Sequence, residues 1–141
     1  MKKAVLLSIR GQQNYPEQEP EVIELVTEGS LEKRGDTWEL VYEESALTGL
    51  QGVTTTFLVE PEKITLNRVG PLTSQMIFQQ GVSHESLYQM EFGALMISVC
   101  AAKMEYDLTE AGGTIDLSYS IEIEQTAAGV IDYHLEITAK E

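Results

Sequence analysis

The sequence is short of the residues that staple a fold, give a surface positive charge or bind metals. Cys100 is the only cysteine among 141 residues, so no intrachain disulfide can form and no oxidising compartment is implied. Lysine and arginine together number 9 against 23 aspartates and glutamates, a formal charge of -14. Such a surface repels phosphate backbones and anionic headgroups, which excludes nucleic acid and membrane surfaces as expected partners. No stretch reaches the roughly 18 apolar residues of a membrane helix. Neither Cys-x-x-Cys nor His-x-x-x-His spacing occurs, and acidic stretches such as "EQEPE" lack the ligand spacing and glycine of a calcium loop. A Gly-x-Ser-x-Gly elbow and a phosphate-binding glycine loop are missing as well. No catalytic residue, metal or cofactor is therefore expected.

The remaining composition is that of a globular chain of one-domain length, with 43% hydrophobic and 23% charged residues. The acidity reads first as a solubility device, and second as a surface for a basic or metal-bearing partner. The start, "MKKAVLLSIRGQQ", imitates a signal peptide, but its apolar stretch is too short and lacks a cleavage site. It reads better as a first strand, and a cytoplasmic location is expected. Cys100 lies in the apolar run "ALMISVCAA", where a small buried hydrophobe fits better than a nucleophile.

Period two dominates what is present. In "TIDLSYSIEIE", Ile115, Leu117, Tyr119, Ile121 and Ile123 alternate with polar residues, and "VIDYHLEITA" repeats the pattern after a presumed "TAAG" turn. Alternation this regular means two half-buried antiparallel strands joined as a hairpin. "AVLLSI", "EVIELVTEGSLEKRGD", "TWELVYEES", "VTTTFLVE", "KITLNRV", "LTSQMIFQQ" and "SHESLYQMEF" are strand-sized runs separated by turn-like "GA", "GV", "GP", "PE" and "LTGLQG". "NYPEQEP" reads as a surface loop, and Gly29 as a bulge or kink. "ALMISVCAAKMEYDL" is apolar on both faces, as a strand covered on both sides would be, with a buried helix as the alternative.

About ten consecutive strands with short connections favour an antiparallel meander, and so many twisted strands close up or curl. The expected fold is therefore all-β, a single closed meander barrel over residues 1–141, ahead of a two-sheet sandwich.

The segments "YEESALTGLQGVTTTF", "LNRVG", "MIFQQG", "YQMEFGALMISV" and "GGTIDLSYSIEI", taken in this order, resemble the YwiB-like family of uncharacterised bacterial proteins. The resemblance runs from about Leu6 to Ile137. It implies a calycin-like (lipocalin-like) barrel and carries no established activity, substrate or catalytic residue. The chain departs from the family pattern where Met90 and Glu91 stand before Phe92 and Gly93 in place of a Thr-Pro pair.

A meander fixes strand direction, so side chains can be assigned to one end of the barrel. The inward row Trp38, Leu40, Tyr42 on the third strand continues into Glu44, and Ile64, Leu66 on the fifth ends in Arg68. Both charges terminate rows at the end reached by odd strands, which we call the top. Two strand spacings, roughly 10 Å, are within reach of two long side chains. A Glu44–Arg68 ion pair closing that mouth is the first expectation, since an unpaired buried charge is costly. An arginine awaiting a carboxylate or phosphate ligand is the second, and an arginine in solvent through a register error the third. Glu43 and Glu44 point to opposite faces and cannot cooperate.

His134, beside Asp132 and Glu136, is expected to be solvated. His84, in a row with Ser86 and Tyr88, is expected inward as a hydrogen-bonded core residue, with haem ligation as a remote alternative. Three functions are compatible with this reading. The first is a non-enzymatic barrel holding a small apolar or amphipathic ligand, lined by Arg68, Glu44, Tyr42, Trp38, Met76, Phe78, Tyr88 and Tyr119. The second is a packed barrel acting as a homodimer or partner-docking protein. The third is an enzyme built around Arg68, Glu44 and Tyr42. An open cavity above about 300 Å³ separates the first from the second.

Overall fold

The computed structural model describes residues 2–14, 19–44, 51–71, 73–90, 93–124 and 126–140. Ten strands follow one another: β1 (Lys3–Asn14), β2 (Glu21–Arg34), β3 (Thr37–Glu43), β4 (Thr54–Glu60), β5 (Lys63–Val69), β6 (Thr73–Phe78), β7 (Ser83–Met90), β8 (Gly93–Thr109), β9 (Gly112–Ile123) and β10 (Thr126–Ala139). Each pairs antiparallel with its neighbours in sequence, and β1 also pairs with β10, so the sheet closes into a barrel without free edges.

The period-two rows become the two sides of the wall. Val5, Leu7 and Ile9 on β1 alternate strictly with exposed neighbours, and Ile115, Leu117 and Tyr119 on β9 alternate with half-buried Asp116 and Ser118. The lower half is filled by side chains: Phe57, Phe78, Leu40, Ile64, Ile115 and Leu135 are each wholly buried there. This packing is the hydrophobic plug on which the upper half rests.

Four expectations are corrected. The β8 run is a strand, not a helix, but it is not covered on both sides. Ile97, Val99 and Ala101 point inward, whereas Ala94, Met96 and Ala102 are exposed. A register shift between Ala101 and Lys103 then swaps the faces, bringing Met104, Tyr106 and Leu108 against the core. Cys100 consequently sits half-buried on the outer side instead of in the core. The last hairpin turns earlier than "TAAG": β10 already begins at Thr126, with a register shift between Ala127 and Gly129. Gly29 carries neither bulge nor register shift, since both its ladders run through it. It is there for close approach, because a Cβ would meet the Val41 carbonyl oxygen at 2.5 Å. Tyr15–Gln18 of the expected surface loop, part of the "LTGLQG" turn, and Glu91 and Phe92 lie outside the described residues.

Candidate functional site

The upper half of the barrel encloses a cavity of about 390 Å³. Its walls are mainly aliphatic, with Ile9, Ile23, Leu25, Leu95, Ile97, Ile121, Ile123 and Ile131 on the strands that are long enough to rise above the plug. Its polar groups include Gln13 on β1, Tyr88 on β7 and Tyr119 on β9, and its two charges belong to one cluster. Tyr42 on β3, Glu44 just beyond it, Arg68 on β5 and Tyr133 on β10 all face the space.

The expected ion pair is present. Arg68 Nε lies 3.8 Å from Glu44 Oε2, with the side chains 13% and 2% exposed. The carboxylate also accepts the Thr55 hydroxyl at 2.5 Å, and its position is fixed by the Glu44 N–H donating to the Val53 carbonyl. Thr55 stands beside the pair because β4 runs between β3 and β5, where Thr55 pairs with both Tyr42 and Arg68. Burial works against the Arg68 charge, but Tyr133, Tyr119, Glu44 and Tyr42 outweigh it and hold the guanidinium above its usual range.

Two hydroxyls meet at the floor of this cluster, Tyr42 and Tyr133, 3.1 Å apart. Phe57 lies against both rings, at centroid distances of 6.4 Å to Tyr42 and 6.1 Å to Tyr133. Burial, followed by the neighbouring Tyr133 and Glu44, pushes the Tyr42 phenol far above the ordinary tyrosine range, and burial raises Tyr133 likewise. Neither phenol can serve as a base at neutral pH. Beside the ion pair, two buried polar atoms have no hydrogen-bond partner among the described residues: Arg68 Nε and Ser74 Oγ. These residues are direct neighbours across the β5–β6 ladder.

Six of the eight predicted lining residues are brought together: Arg68, Glu44, Tyr42, Met76, Tyr88 and Tyr119. Trp38 and Phe78 are not in the cavity. Trp38 starts β3 at the lower end, where Lys33 lies over its ring at 5.2 Å. Phe78 ends β6, which runs downward, and packs on Tyr119 within the plug at 4.7 Å between ring centres. Both occupy inward rows but at the wrong height. Tyr133, Ile121 and Ile131 were missed, although strand direction places the upper residues of β9 and β10 at this end.

His134 lies on the outer, solvent-facing side of the wall, with its side chain 40% exposed. It bridges Asp116 across the β9–β10 ladder and Glu136 on its own strand, and the hydrogen bond to Asp116 leads in holding its pKa above the usual imidazole value. His84 shares the inward row and bonds Gln79 Oε1 at 2.7 Å, remote from the cavity.

Comparison with known families bears on this arrangement. Residues 7–137 match the family described as "Domain of unknown function (DUF1934)". The chain belongs to this family. Among solved structures it is similar to the "ywiB protein from Bacillus subtilis", with a TM-score of 0.89 at 21% identity, covering 99% of this chain and 94% of that one. At that identity the likeness establishes the shared ten-stranded barrel, in keeping with the YwiB-like resemblance read from the segments above. A comparison with curated proteins finds no match.

Proposed function

We propose that this protein is a non-enzymatic, lipocalin-like barrel that holds one small apolar or amphipathic molecule in its upper half. The observation that carries this reading is the cavity of about 390 Å³, above the roughly 300 Å³ at which ligand pockets begin. Its lining is predominantly apolar with a few polar side chains and one charged pair, the usual chemistry of a site that grips an apolar body and orients one end. The enzyme reading has less support, because the Tyr42 phenol is held protonated by its burial.

The dimer reading draws on Leu87 and Met96, which face each other across β7 and β8 on the outside of the wall and are 47% and 38% exposed. Nearby Leu58 and Val69 share their groove with Thr56, Asn67, Thr73, Gln75 and Gln89, so the apolar surface there is interrupted. Such scattered exposure is ordinary for a monomer and ranks below the cavity.

A thermal-shift screen with a panel of lipids and small metabolites tests the proposal. Saturable stabilisation by an apolar or amphipathic compound is expected. No shift across the panel, together with a dimer by sedimentation, would transfer the argument to the surface.

A further inference from the structure

We propose that the cavity selects an uncharged amphipathic molecule that presents a hydrogen-bond acceptor, such as an ester or ketone oxygen, to Arg68. This deepens the binding reading above and rests on it.

Charge balance is the first argument. Glu44 and Arg68 are the only charged side chains among the described residues that line the cavity, and they stand 3.8 Å apart. The pair is already neutral as a unit. A bound carboxylate would leave one uncompensated negative charge in an apolar enclosure, where isolated charge is strongly disfavoured. The formal charge of -14 on the whole chain acts in the same direction.

Hydrogen-bond balance is the second. A guanidinium carries five N–H donors and no acceptor. Among the described residues Arg68 Nε has no hydrogen-bond partner, and its contact with Glu44 is too long to be one. Ser74 Oγ, its neighbour across the ladder, also lacks a partner among the described residues, but Ser74 is not one of the residues that line the cavity. Both atoms are buried, so an occupant meets the remaining, partly exposed guanidinium, whose N–H groups favour an acceptor, and an acceptor without charge keeps the site neutral. Size is the third argument, since about 390 Å³ holds on the order of a dozen water-sized groups.

Methyl nonanoate and decanoate test this directly, because the ester is an isomer of decanoic acid and the two probes differ in charge but not in the number of non-hydrogen atoms. Butylbenzene serves as a purely apolar probe of similar size. Each is titrated at pH 8, where a free carboxylate is ionised, while the Arg68 Nε–H signal is followed by nitrogen-edited proton NMR. Methyl nonanoate should bind at least about tenfold more tightly than decanoate and shift the Arg68 signal. In Glu44→Gln, which leaves Arg68 unbalanced, the preference should reverse toward decanoate. Decanoate binding the native protein as tightly as the ester would overturn the inference while leaving the cavity reading standing. Butylbenzene matching the ester, with the Arg68 signal unmoved, would overturn it too. If none of the three binds, the cavity reading itself fails.

Discussion

Replacing Arg68 by methionine isolates the energetic role of the charge that neutralises Glu44 at the cavity wall. The substitution keeps most of the side-chain volume but leaves Glu44, whose side chain is 2% exposed, without its cation. At 3.8 Å and an effective dielectric of about 20, the lost attraction is about 4 kcal/mol. Breaking a buried pair by removing one partner costs about 3–5 kcal/mol, which agrees. The Thr55 hydroxyl remains to solvate the carboxylate but carries no charge. For a chain of 141 residues the entropy of unfolding is about 0.3 kcal/mol per degree, so the melting temperature should fall by about 13 °C. Calorimetry or circular dichroism reads this directly. The double substitution Arg68→Met with Glu44→Leu should recover most of the loss, because a buried pair replaced by apolar side chains is close to neutral. A single variant melting within about 3 °C of the native protein would refute the reasoning, since Arg68 would then not be neutralising a buried charge.

Other consequences are equally specific. Gly29→Ala should cost about 1–3 kcal/mol in urea unfolding, because the new Cβ meets the Val41 carbonyl oxygen at 2.5 Å and backbone must move. Phe57→Ala, at a wholly buried position beneath Tyr42 and Tyr133, should cost about 3–5 kcal/mol and deepen the cavity, measurable as lower stability with room for larger ligands. His134 should titrate above the ordinary value of 6.5, and Asp116→Asn should bring it back down, read from ring-proton shifts against pH. Because its folded pKa is raised, its small stabilising contribution is complete below about pH 6.5 and disappears as pH rises through the folded value.

Much of the barrel is legible in the residues because a half-buried wall forces period two on every strand. Ile115 to Ile123 and Ile131 to Ile137 could be read as strands without any three-dimensional information. The Glu44–Arg68 pair was legible for a related reason: a meander tells which end of the barrel each row terminates at. The bulges were not. A register shift after Ala101 converts one apolar stripe into two half-stripes, which in sequence looks like a strand greasy on both faces. Height along the barrel was also hidden. Trp38 and Phe78 have the same inward parity as Tyr42 and Met76, yet Phe78 falls into the plug and Trp38 below it, where it lines a separate space with Leu31 and Lys33. Whether an inward row packs or lines a space depends on what faces it across the barrel, and the alternation along one strand carries no trace of that.

The proposed function requires that the upper half of this barrel takes up a ligand. Native mass spectrometry of the protein purified from its own host, beside an Ile131→Trp variant whose indole fills that space, tests it most directly. A co-purifying small molecule is expected on the native protein and is expected to be missing from the folded variant. A native protein that comes off bare, or a variant that carries the same added mass, would contradict it.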